Sequence, residues 1–169
     1  MNRRKQLRLL VAGVGNSDRG DDGVGPAVAR RLCGRVPSAV SVLQLSGDPL
    51  ALIEDWKGFS AVIVIDAGAP ITRPGLIHRF DLANSRLPIT TAPGSTHAFG
   101  LAETIELARS LGRLPSLLVA YLIEGEQFEP GAPLSPAVAQ AAEAAAAEIL
   151  VEVSTMLGTP QTEGGTRRA

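Results

Sequence analysis

The stretch Val11-Ala-Gly-Val-Gly-Asn-Ser-Asp-Arg-Gly-Asp-Asp-Gly-Val-Gly25 holds five glycines and three aspartates in fifteen residues, and most constrains the fold. An apolar run, Leu7 to Val11, precedes it, and an amphipathic run, Val24 to Leu32, follows it. The connection is therefore a tight, acidic strand-to-helix loop. Glycine lets backbone approach a bound group closely or adopt positive φ. Carboxylates gathered there repel one another, so a cation suits the loop better than a phosphate. Gly13-Val-Gly15 resembles the start of a dinucleotide fingerprint, but its third glycine would fall at Asp18. Pyrophosphate needs free N–H groups and a positive helix end, which three carboxylates oppose.

The chain is long enough for one domain, and residues 1–157 are read as that domain, with 158–169 as a disordered tail. A net charge of −1 provides no general attraction for nucleic acid or an anionic membrane. Cys33 is the only cysteine, which rules out an internal disulfide and a thiolate cluster. Its position near the end of the first helix reads as packing. With no signal peptide or membrane span recognisable, a cytoplasmic location is expected. None of the serines lies in a Gly-x-Ser-x-Gly elbow, so a serine hydrolase has no support.

Apolar runs alternate with helical periodicity along the chain. Leu7–Ala12, Ala39–Leu45, Ala61–Asp66 and Ser116–Ile123 read as strands, the third being the clearest because four β-branched residues precede its aspartate. Gly75–Asp81 alternates as a half-exposed strand near an edge does, with His78 as a half-buried side chain. Helices are expected from Val24 to Gly34 and from Asp48, as N-cap, to Gly58. Another is expected before Gly112, with Leu101, Ile105, Ala108 and Leu111 on its apolar face, and a long one from Ser135 to about Leu157. Ala83–Gly94 and Glu124–Pro133 read as loops. This order predicts an α/β protein, a three-layer α/β/α sandwich on a mainly parallel sheet.

Three side chains from loops at one rim of that sheet can then meet. They are Asp22 or Asp21 after the first strand, Asp66 at the end of the third, and His97 just before a helix. In an open α/β sheet the carboxyl ends of central strands face the ligand crevice. Two carboxylates and an imidazole suit Ni²⁺, Zn²⁺ or Mn²⁺ and leave coordination positions open.

Val11 to Gly25, Ile65-Asp-Ala-Gly68 and Ser95-Thr-His-Ala-Phe-Gly-Leu101, in this order and spacing, resemble the hydrogenase maturation proteases from about Leu7 to Leu157. These endopeptidases trim the C-terminus of the nickel–iron hydrogenase large subunit. The resemblance implies a twisted five-stranded sheet with Gly75–Asp81 as its one antiparallel strand. It also implies metal contact by Asp22, Asp66 and His97; counting six positions from Asn16 selects Asp22 over Asp21. The first of these positions is often glutamate in the family. The implied partner is the large-subunit precursor, which brings the nickel, and the protease is expected to act as a monomer. Many relatives carry an Asp-Gly-Gly type turn where this chain has Ser46-Gly-Asp-Pro49, a loop that would help choose the cognate hydrogenase. Two rival readings remain: a nickel-sensing chaperone that uses the same three residues without hydrolysis, and a nucleotide-binding α/β domain, which would be stabilised by nucleotide and not by metal.

Overall fold

The structure is a computed structural model that describes residues 7–46, 48–87 and 100–158. Five strands form one sheet: β1 (Leu9–Val14), β2 (Val40–Leu45), β3 (Ala61–Gly68), β4 (Ile77–Asp81) and β5 (Leu117–Glu124). Their spatial order is β2-β1-β3-β5-β4, with only the β4–β5 pair antiparallel. The expected mainly parallel five-stranded sheet and its antiparallel edge strand are both present. β1 is buried throughout and β3 from Ala61 to Ile65, as strands covered on both faces must be.

Four helices cover the sheet: α1 (Val24–Leu32), α2 (Leu52–Asp55), α3 (Leu101–Ser110) and α4 (Pro136–Met156). The alternation of the strands divides the core in two. Leu9, Val11, Ile63, Ile65, Val119 and Tyr121 pack under α1 and α4. Leu10, Ala12, Val62, Val64, Leu118 and Ala120 pack under α2 and α3. The three-layer sandwich expected from the sequence follows directly from these two clusters.

Local chemistry sets the boundaries. Asp48 accepts from the Leu50 N–H at 2.9 Å, and Pro49 begins a short 3₁₀ turn that leads into α2. Gly34, Gly58 and Gly112 take φ of 75°, 78° and 66° where α1, α2 and α3 end, in the left-handed conformation favoured at such stops. The sole tryptophan, Trp56, is buried and donates its indole N–H to the Arg113 carbonyl at 3.0 Å.

Three sequence expectations change. Cys33 is exposed rather than packed, because it lies one residue beyond α1 where the chain turns away from the sheet. Leu111 is 54% exposed, since α3 stops at Ser110 and the last turn no longer follows the helical stripe. Glu124 belongs to β5 rather than to the loop after it, and it is buried. The tail beyond Gly158, the segment 88–99 and Gly47 of the Ser46–Pro49 turn lie outside the described residues.

Candidate active site

Chain order makes β1 and β3 neighbours, but their connections leave in opposite directions: β1 leads to β2 on one side, β3 toward β5 and β4 on the other. The crevice at the carboxyl ends of such a strand pair is where open α/β sheets place their ligands. Two of the expected site residues are found there. Asp22 lies in a 3₁₀ turn (Gly20–Gly23) between β1 and α1, and Asp66 is near the end of β3.

Glycines bring the first loop into this crevice by close approach. A Cβ on Gly25 would lie 2.2 Å from the Val14 carbonyl oxygen and 2.5 Å from that of Ile65, so α1 begins directly against β1 and β3. A Cβ on Gly13 would meet the Gly25 oxygen at 2.1 Å from the other side. Gly15, at φ 137°, leaves room for the Asp22 carbonyl, which a Cβ there would approach to 1.9 Å. Only glycine allows this helix and strand to touch.

The loop's polar groups are paired within it and with neighbouring segments. Asp22 Oδ2 accepts from the Asn16 N–H at 2.9 Å, and Asn16 Oδ1 accepts from Asp18 N–H at 2.9 Å. Gly15, Arg19, Gly20, Asp21 and Asp22 donate their N–H groups to the carbonyls of Leu45, Asn16, Ala132, Gln127 and Arg19. The amides that a phosphate cradle would need are therefore already engaged, and the nucleotide-binding reading loses its physical basis.

Asp66 is half-buried, and its carboxylate accepts from the neighbouring Ala67 N–H at 2.8 Å. Burial is the main cause that pushes this carboxyl up, to about 8; the nearby Asp22 charge adds to the rise and the Ala67 hydrogen bond opposes it. Near neutrality, Asp66 thus holds a proton that a cation in the crevice would displace. Shifts of this size concentrate at functional positions.

Asp21, the alternative to Asp22, has a different role. Its fully buried carboxylate accepts four hydrogen bonds: Ser135 N–H at 2.7 Å, Ser135 Oγ at 3.0 Å, Glu126 N–H at 2.8 Å and Gln127 N–H at 3.1 Å. Its lone pairs are committed to the segment after β5, which leaves Asp22 as the ligand candidate. His97 lies outside the described residues, and among the described residues no group of three His, Cys, Asp or Glu side chains is disposed to hold a metal ion.

A second buried carboxylate shapes the rim, and the sequence reading missed it. Glu124 Oε2 accepts from three consecutive amides, Ile71 at 3.0 Å, Thr72 at 2.7 Å and Arg73 at 2.9 Å, while Oε1 meets His78 Nε2 at 2.7 Å. Burial by itself would raise this carboxyl; the His78 and backbone hydrogen bonds outweigh it and hold the group at about 2. Glu124 thus fixes the loop that leaves β3 just beyond Asp66, and His78 becomes its partner rather than an isolated half-buried ring. An acidic residue ending a continuous apolar run was the available signal, and it is the same signal that identified Asp66.

Fold and site define a doubly wound α/β protein with paired carboxylates at its switch point. The family model described as hydrogenase maturation protease matches residues 26–152, and the chain belongs to that family. It is accordingly a hydrolase, an endopeptidase of hydrogenase maturation. The hydrogenase 2 maturation protease of Escherichia coli (strain K12) is 28% identical over 148 residues, which span 85% of this chain and 89% of that protein. The solved structure of the hydrogenase maturating endopeptidase HybD from E. coli superposes with a TM-score of 0.73 at 24% identity, covering 89% of this chain and 94% of that one. A hydrogenase 2 maturation peptidase from a Thaumarchaeota archaeon gives a TM-score of 0.62 at 27% identity, covering 90% and 99%.

Proposed function

We propose that this protein removes a C-terminal peptide from the precursor of a nickel–iron hydrogenase large subunit once nickel has been inserted. In this reading Asp22, Asp66 and His97 contact the nickel carried by the precursor, and the scissile peptide lies beside them. The protein acts as a cytoplasmic monomer, with neither nucleic acid nor membrane as a partner. The observation that carries the proposal is the pairing of Asp22 with Asp66 at the switch point, where the charge on one raises the pKa of the other. Such a pair is relieved by a cation, and the substrate of this family provides one.

The chemistry needs no serine or cysteine nucleophile. Metal contact can polarise the scissile carbonyl or bring the pKa of a bound water down to about 7. When Asp66 has exchanged its proton for the cation, a carboxylate beside the peptide is available to take a proton from the attacking water. Family membership favours hydrolysis over a purely nickel-sensing chaperone.

Nickel-loaded and nickel-free precursor, incubated with the wild type, Asp22→Asn or His97→Ala, test the assignment by mass spectrometry of the precursor's C-terminus. Trimming of the loaded precursor by the wild type alone is the expected result. Full cleavage by both variants would remove the basis for the metal-contact roles, and an untouched loaded precursor in the presence of the wild type would favour the chaperone.

A further inference from the structure

Asp22 and Asp21 are adjacent in sequence and turned to different tasks, and the second of them is where the structure says more than family membership does. The Asp21 carboxylate is fully buried, and all four of its donors come from the segment between β5 and α4. Backbone contacts reinforce the same junction: Asp21 N–H to the Gln127 carbonyl at 2.8 Å, Gly20 N–H to Ala132 at 3.0 Å, and Gly131 N–H to the Asp18 carbonyl at 2.6 Å. A Cβ on Gly20 would lie 2.4 Å from the Gln127 oxygen, and one on Gly125 would lie 2.8 Å from the Asp21 Cβ. The two loops are in contact with no room for an added methyl group at either place.

Ser135 makes the arrangement more specific. It occupies the N-cap position of α4, yet its hydroxyl makes no cap hydrogen bond to its own helix and donates to Asp21 instead. This serine leaves its own helix uncapped and bonds instead to a carboxylate, which offers a stronger, charge-assisted hydrogen bond. The turn carrying Asp22 is therefore referenced to the start of α4, the longest helix among the described residues, and not only to β1 and α1.

We infer that Asp21 is a positioning residue for the cleavage reaction: it holds the Asp22 carboxylate in register with Asp66 by tying the first loop to the segment after β5. This inference rests on the proposed role of Asp22. Asn cannot replace Asp21 here, because one of its two positions becomes an N–H donor facing groups that are themselves donors. Displacement of a catalytic contact by about 1 Å can cost on the order of 100-fold in rate.

The test compares four full-length proteins acting on the nickel-loaded precursor: wild type, Asp21→Asn, Asp22→Asn and Val153→Ala. Val153 lies on the buried face of α4, makes none of the Asp21 contacts, and serves as a control for lost stability. Thermal unfolding ranks the variants, and kcat and KM are measured at a temperature where all are folded. A Ni²⁺ titration of each protein alone, followed by calorimetry, gives a readout independent of cleavage. The expected result is a kcat for Asp21→Asn at least about tenfold below that of Val153→Ala, with KM little changed and Ni²⁺ affinity reduced. If Asp22→Asn is inactive while Asp21→Asn matches the stability control in kcat and in Ni²⁺ affinity, the positioning role is overturned and the role of Asp22 stands. If Asp22→Asn cleaves like the wild type, the metal-contact reading fails and the inference fails with it.

Discussion

Two properties of Asp66 push the same way: it follows five buried apolar residues in β3, and it feels the charge of a second carboxylate, Asp22, so that both raise its pKa. Its folded-state pKa lies above the ordinary value of 3.8, so the native protein binds a proton more tightly than the unfolded chain does. By linkage, this group's contribution falls as pH rises from about 4 through about 8. Asp66→Asn is therefore expected to be more stable than the wild type above pH 8 in metal-free buffer, with the difference vanishing below pH 4; thermal melts across that range would show it. The same proton competes with a cation. Ni²⁺ affinity of the wild type is expected to drop by about tenfold for each pH unit below about 8, as one displaced proton requires, with the slope lost in Asp66→Asn. Calorimetric titrations at several pH values measure this directly.

Among the elements, β5 and the loops it holds are the least expected part of the architecture. Glu124, at the end of β5, gathers three amides and an imidazole onto one carboxylate. Its pKa is lowered from 4.5 to about 2, so the stability it provides is present above about 4.5 and is lost as pH falls toward 2. Glu124→Gln keeps one oxygen for the three amides but loses the carboxylate charge that strengthens all four bonds, and its amide nitrogen meets His78 only in the tautomer whose Nε2 accepts. A loss of about 1–3 kcal/mol near neutrality is expected, together with a flatter acid limb between pH 5 and 2, both measurable by denaturant melts. The elements themselves were largely legible. β3 announced itself through four successive β-branched residues, β4 through its alternation, and the helix stops through Gly34, Gly58 and Gly112. Asp22 and Asp66 were legible as site candidates because each ends or follows an apolar run. The roles of Asp21 and Glu124 were not, because their partners lie far along the chain. Ser135 is 114 residues from Asp21 and Ile71 is 53 from Glu124, and no local pattern encodes a hydrogen bond across such a distance. Cys33 and Leu111 were misread for a related reason: periodicity continues on paper past the residue at which a helix stops.

For the molecule as a whole, the order β2-β1-β3-β5-β4 makes the site a property of the sheet rather than of any segment. Two core clusters, one on each face of the sheet, hold the fold together, and among the described residues no helix is long and apolar enough to cross a membrane. Trp56, the single tryptophan, belongs to the cluster under α2 and α3 and reports on the packing of that face. Loss of Ni²⁺ binding during denaturant titration is expected to coincide with the change in Trp56 fluorescence. Separate transitions would mean that the rim comes apart before the core does.

The close approach of α1 to β1 and β3, through Gly13 and Gly25, has a consequence for the order of events in the cell. The α1 contact requires β3 to be in place beside β1, and β3 is synthesised only after β2 and α2. A chain in which β3 has not yet paired with β1 therefore has Asp22 without Asp66 beside it, and lacks the carboxylate pair to which metal contact is assigned in the proposed function. The proposed site comes into being only once β3 has paired with β1, and the first strand, loop and helix do not make it by themselves.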